Sequence, residues 1–130
     1  METPPEPSRT LDLAAVGKFQ REFASERDWE QFHTPKNLAM ALAGEAGELL
    51  EIFQWLTPEQ AARVADTARG KEAVEHELAD VLAYTIRLAD VLGIDLSRAL
   101  WDKLRLNGQK YPAAQARGHA RKYSELAGGD

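Results

Sequence analysis

Apolar residues in this chain recur every three or four positions, and no alternating apolar–polar run is long enough to suggest a strand. The first helix is predicted from about Leu11 to Asp28, with Leu13, Val16, Phe19 and Phe23 on one face and Gly17 as a mild interior defect. A short aromatic linker, Trp29 to Thr34, leads to Thr34 as an N-cap with Pro35 at the first helical position. From about Pro35 to Leu56 the stripe Leu38, Leu42, Glu45, Leu49, Ile52, Leu56 has the spacing of a bundle seam, and one of its members is a glutamate. Thr57 and Gln60 make a capping box for a short alanine-rich helix, Pro58 to Arg69, with Gly70 as its stop. Lys71 to Leu92 carries the stripe Val74, Leu78, Val81, Thr85, Leu88 and Leu92, closed by Gly93. Asp95 caps a fifth helix that ends near Asn107 and Gly108. The pattern predicts an all-α helical bundle built on two long antiparallel helices. Residues 1–9, with three prolines in the first eight, read as a disordered arm, residues 10–112 as the domain, and residues 113–130 as a loosely held tail.

Composition narrows the function. The chain has 130 residues, room for one domain, and its 44% hydrophobic content can supply a core. Its net charge of −5 argues against a binder of polymeric nucleic acid and against docking on an anionic membrane. Cysteine is absent, which removes disulfides, zinc–thiolate sites and thiol catalysis. With no membrane-length apolar run and no secretory pattern at the N-terminus, a cytoplasmic protein is expected.

The chemistry sits in carboxylates at helical spacing. Glu45 and Glu48 are three apart on the second long helix, as are Glu77 and Asp80 on the other, so each pair points two carboxylates to one side. Such pairs are often plain solvated faces. Here Leu49, Leu50, Ile52 and Phe53 flank the first pair and Leu78, Val81 and Leu82 the second, which draws the carboxylates toward the bundle. Four converging carboxylates repel one another and are costly to desolvate. A divalent cation removes that penalty, and an all-oxygen set suits Mg²⁺ first and Mn²⁺ second. Mg²⁺ commonly joins carboxylates to phosphate oxygens, which points to a phosphate-bearing substrate. A di-iron site would need Glu-x-x-His on the bundle helices; Glu30 and His33 have that spacing but fall in the linker. His76 neighbours Glu77 and must point about 100° away from it.

The runs ERDWEQFHTPKNL (26–38), AGEAGEL (43–49), FQW (53–55) and ELADVL (77–82), with Lys103 through Pro112, resemble the dCTP pyrophosphatases of the MazG-like, all-α NTP pyrophosphohydrolase superfamily. The likeness covers about residues 11–112, with a weaker echo at residues 121–125. It implies hydrolysis of a nucleoside triphosphate to the monophosphate and pyrophosphate, with Mg²⁺ at Glu45, Glu48, Glu77 and Asp80. Either Glu45 or Glu48 would orient or deprotonate the attacking water; the residues leave that choice open. The resemblance further implies base contacts from Trp29, Trp55 and Tyr84, with core or interface packing as the plain alternative. Lys103, Asn107, Lys110 and Tyr111 match its triphosphate grip, and a solvated basic face is the alternative there. Gln20 stands where the dCTP enzymes often carry a histidine, which loosens the preference for base. A homotetramer is expected, with a homodimer next, and Leu100, Trp101 and Leu104 are candidates for the covered surface. Rival functions are a broader NTP or dUTP pyrophosphatase and a non-catalytic nucleotide sensor. With the four carboxylates set aside, the remaining 17 acidic residues nearly balance 16 basic ones, so a metal pocket accounts for most of the excess acidity.

Overall fold

Side-chain caps set where each helix begins. A computed structural model describes residues 10–126 of the chain. Asp12 accepts from the Ala15 N–H (3.1 Å) and starts α1, Leu13–Glu26, two residues later than the apolar pattern suggested. Thr34 caps α2, Pro35–Phe53. Thr57 and Gln60 form the expected reciprocal capping box on α3, Pro58–Ala62. Thr67 accepts from the Gly70 N–H and starts α4, Ala68–Leu92, which Gly93 ends in the left-handed conformation at φ 67°. Asp95 caps α5, Leu96–Lys110. Two single turns follow, α6 (Ala113–Ala116) and α7 (Tyr123–Leu126). There is no strand among the described residues. The expected N-terminal arm, residues 1–9, lies outside the described residues, as do residues 127–130 of the expected tail.

Several boundaries depart from the pattern, for local reasons. The segment expected as one helix from Pro58 to Arg69 is α3 followed by a 3₁₀ turn, Val64–Asp66. Gly70 does not stop that segment. It lies in the first turn of α4, where a Cβ would collide with the Val64 carbonyl, so glycine is required for close approach of backbone rather than for termination. α2 ends at Phe53 instead of Leu56, and α5 continues to Lys110 past Asn107 and Gly108.

The chain divides into two units, one ending at Ile94 and the other beginning at Asp95. In the first, α4 packs against both α2 and α1. Glu45 faces Glu77 and Asp80, while Glu51 and Ile52 share a cavity with Ala73 and His76, so α2 and α4 run antiparallel as expected. On its other side, α4 meets α1. Gly17 lies against Asp90 and Ile86, and the Gln20 amide donates to the Ala83 carbonyl at 3.0 Å. The buried face of α4 is consequently Ile86, Arg87 and Ala89, whereas Leu78 and Leu92 of the expected stripe are exposed. The second unit holds α5, α6 and α7. On α5, Leu100, Trp101, Leu104 and Leu106 are exposed.

Candidate active site

Antiparallel packing brings Glu45 and Glu48 of α2 to Glu77 of α4. One oxygen from each of the three lies within 4.8 Å of the others. Glu45 and Glu77 are half-buried, and each keeps one buried oxygen, Oε2, with no hydrogen-bond partner. Glu48 is exposed. Burial first, then hydrogen bonding with Glu77 and Glu48 and the negative charges of Glu48 and Asp80, push the Glu45 carboxyl up to about 7. Without a cation, this cluster therefore holds a proton near neutrality. Orphaned oxygens of like charge at this spacing fit a hard divalent cation, which would satisfy the buried oxygens and replace the proton. Asp80 is exposed, one turn beyond Glu77, and close enough to influence Glu45 electrostatically. On the far side of Glu48 and Glu77 a cavity of about 380 Å³ is lined also by Glu51, Ile52, Ala73 and His76.

Asp80 also lines a second cavity, of about 400 Å³, between α1, the linker and α4. Phe19, Phe23, Trp29 and Tyr84 give it aromatic walls, and Gln20, His33 and Arg87 give it polar ones. The backbone turns sharply to build it. Asp28 adopts φ 53°, and the Trp29 N–H returns to the Ala24 carbonyl at 2.9 Å. That reversal sets Trp29 edge-on to Phe23, with ring centroids 5.7 Å apart. The Arg27 guanidinium covers the Phe23 ring at 3.4 Å. Linker geometry is tied further by Asn37, whose amide donates to the Phe32 carbonyl.

Behind the polar wall run two ion pairs that end in a hydrogen bond to His33. Arg21 grips Asp90 with two donors, at 2.7 and 3.1 Å. Asp90 also accepts from Arg87 Nη1 at 3.1 Å, and Arg87 Nε donates to His33 Nδ1 at 3.0 Å. Hydrogen bonding from Arg21 and the positive charges of Arg21 and Arg87 hold the Asp90 carboxyl below its ordinary range, against the opposing effect of burial. Burial, then the charge of Arg87, pulls His33 down.

Of the residues singled out in the sequence, Glu45, Glu48 and Glu77 come together, Asp80 stands beside them, and Trp29 and Tyr84 share the aromatic cavity. Trp55 does not line that cavity; it follows α2 and is 86% exposed. Lys103, Asn107 and Lys110 lie on α5 of the second unit, and Tyr111 caps that helix, its N–H donating to the Asn107 carbonyl. Sequence reasoning took Phe19 and Phe23 as plain core and gave Arg87 no task. The signal for Arg87 was present, because Asp80, Tyr84 and Arg87 follow one another at four and three residues along a single helical face. Gln20, noted only as a departure, lies in the cavity wall, its amide nitrogen used by Ala83 and its oxygen buried without a partner.

Residues 41–126 match the MazG-like family. The chain is 45% identical over 125 residues to dCTP pyrophosphatase 1 of Homo sapiens, covering 96% of this chain and 71% of that protein. For dCTP pyrophosphatase 1 of Rattus norvegicus the identity is 44% over the same shares. Among solved structures, a pyrophosphatase from Archaeoglobus fulgidus superposes with a TM-score of 0.71 at 38% identity, covering 82% of this chain and 99% of that one. Sequence and fold agree, and the chain belongs to the MazG-like family.

Proposed function

We propose that this protein is a nucleoside triphosphate pyrophosphohydrolase that converts dCTP or a modified dCTP to the monophosphate and pyrophosphate. The observation that carries the reading is a cluster of three carboxylates with orphaned buried oxygens, joined through Asp80 to an aromatic cavity sized for a flat ring. The named relatives, dCTP pyrophosphatases at 44–45% identity, support the choice of substrate. Glu45, Glu48, Glu77 and Asp80 would hold a divalent cation, Mg²⁺ with Mn²⁺ as its nearest substitute, which when bound neutralises the triphosphate and polarises its phosphorus. Glu48 or Glu45 orients the attacking water and takes its proton as the new P–O bond forms and the bond between the α- and β-phosphates breaks. Trp29 and Tyr84 stack against the base. Trp55 is a third base contact in this reading, and its exposure suits a residue whose site is completed by a second copy. Lys103, Asn107, Lys110 and Tyr111 take the phosphates, a role supported by their spacing along one face of α5 and its C-cap.

A homotetramer, with a homodimer as the alternative, is the proposed assembly, and the exposed Leu100, Trp101 and Leu104 are the surface it would cover. A cytoplasmic protein fits the reading; no helix among the described residues is long and apolar enough to cross a membrane. Gln20 in the cavity wall keeps a broader NTP or dUTP specificity as the second reading.

The test is incubation with each NTP and dNTP plus Mg²⁺, followed by separation of products. Monophosphate and pyrophosphate from dCTP or its modified forms are expected. Comparable turnover of several bases would favour the broader enzyme, and no turnover of any triphosphate would favour a nucleotide sensor.

A further inference from the structure

Helix α1 closes on an aspartate in a conformation that glycine usually supplies. The Asp28 N–H returns to the Ser25 carbonyl at 3.2 Å and the Trp29 N–H to the Ala24 carbonyl at 2.9 Å, with Asp28 at φ 53°. This pair of bonds ends a helix on one left-handed residue, where a Cβ is unfavourable and glycine is the common choice. Among the described residues, Asp28 is the one non-glycine residue with positive φ. It is exposed and does not line the aromatic cavity, so burial does not account for it. What aspartate adds over glycine is a carboxylate. The Gln31 amide donates to that carboxylate at 3.2 Å and to the Asp28 carbonyl at 3.0 Å. The turn that ends α1 is thereby tied to the next, in which the Phe32 and His33 N–H groups donate to the Trp29 carbonyl at 2.9 and 3.1 Å. Trp29 sits between the two turns. Its side chain meets the rings of Phe23 and His33 edge-on, yet the residue is 41% exposed, so packing covers only part of it and the backbone must set the rest of its orientation.

We propose that Asp28 is a positioning residue: it holds a strained backbone and, through its tie to Gln31, fixes the Trp29 ring in the wall of the aromatic cavity. Its effect on substrate rests on the pyrophosphohydrolase reading, in which Trp29 stacks on the base; the ordering of Trp29 does not. Arg27, which does not line the cavity, supports the same geometry from behind. Its Nη1 donates to the Phe23 carbonyl at 3.0 Å, and its guanidinium covers the Phe23 ring that Trp29 meets edge-on. Glycine at position 28 would relieve the strain and lose the carboxylate, so stability is kept while ring order falls. A residue that served the fold alone would move both together.

Two measurements on the full chain separate the claims. Without nucleotide, ¹⁵N relaxation of the Trp29 indole N–H, identified by its loss in Trp29→Phe, should give an order parameter of about 0.85 in the wild type, lower by about 0.2 in Asp28→Gly. Gln31→Ala, which removes the tie and leaves Asp28 in place, should lower it likewise. Asp28→Asn tolerates the left-handed region and keeps an acceptor for Gln31, so it should retain the wild-type value. No fall in Asp28→Gly or in Gln31→Ala would overturn the positioning role whatever the activity. The melting temperature of Asp28→Gly should lie within about 4 °C of the wild type or above it; a larger fall would make Asp28 a residue of the fold alone. Steady-state kinetics on the best triphosphate should then show KM raised about tenfold in Asp28→Gly, with kcat within about threefold of wild type, and KM recovered to within about threefold in Asp28→Asn. A wild-type KM in Asp28→Gly would overturn the effect on substrate. If the wild type hydrolyses no triphosphate, that effect falls with the reading it rests on, while the relaxation data still decide the ordering of Trp29.

Discussion

Two faces of α4 are built on opposite electrostatic plans. Toward α2, Glu77 joins Glu45 and Glu48 in a cluster with no cationic partner among the described residues and two buried oxygens left without a hydrogen-bond partner there. Toward α1, Arg87 and Asp90 are enclosed by complementary partners, Arg21 and His33. Partnered charges rigidify a wall, whereas repelling carboxylates are poised to accept a cation. The carboxylate face therefore carries unrelieved repulsion, and the cavity face is organised by its own ion pairs. Asp80 is the residue common to the two.

The largest effect that would sharpen this contrast is catalytic. Glu48→Ala and Asp80→Ala should each reduce turnover by about 10³-fold or more with helicity by circular dichroism intact. Activity within a few-fold of wild type would reduce the carboxylates to a solvated face. Next in size is a pair of stability measurements with opposite signs. Asp90→Ala leaves Arg87 buried without its carboxylate and should cost about 3 kcal/mol by denaturant unfolding. In the presence of a chelator, Glu77→Gln should instead raise the melting temperature, because it relieves repulsion; a drop would break the comparison.

The pH responses of the two faces differ as well. Glu45 binds its proton more tightly in the folded chain, up to about 7 against an ordinary value of 4.5. Its contribution to metal-free stability is full below the ordinary carboxylate range and is lost as pH rises toward 7. His33 is shifted down, so its share is present above its ordinary value of 6.5 and declines as pH falls below it. Unfolding curves with chelator across this range, in wild type, Glu45→Gln and His33→Phe, would separate the two slopes. Divalent ion added at pH 6 should also release a proton that it does not release at pH 8, measurable by calorimetry in buffers of different ionisation enthalpy. The smallest effect is a control on charge itself. Lys18 and Glu22 form an exposed pair at 3.9 Å, and Lys18→Ala should change stability by less than about 0.5 kcal/mol.

Much of this was legible in the chain. Thr34, Thr57 with Gln60, Gly93 and Asp95 act where their chemistry said they would, because caps are local interactions that need only a few neighbouring residues. The carboxylate pairs at three-residue spacing were equally visible, since helical geometry alone puts such residues on one side. Gly70 was misread because a glycine near a helix end signals termination and close approach with the same letter, and only the position of the Val64 carbonyl distinguishes them. Arg87 was missed as a buried residue because long cationic side chains are ordinarily exposed. Its burial depends on Asp90, Arg21 and His33 arriving from the same helix, an earlier helix and a linker.

By itself, then, the sequence determined the long helices, most of their caps, the antiparallel pair and the spacing of the carboxylates. The tertiary structure decided which neighbour each face meets. Periodicity along α4 places Asp80, Tyr84 and Arg87 in line, but it contains no information on whether α1 or α2 will pack there. That choice depends on long-range contacts such as Gly17 against Ile86 and Gln20 on Ala83, more than sixty residues apart in the chain. Those contacts turn an acidic, aromatic helix pattern into a carboxylate cluster on one side and an aromatic cavity on the other.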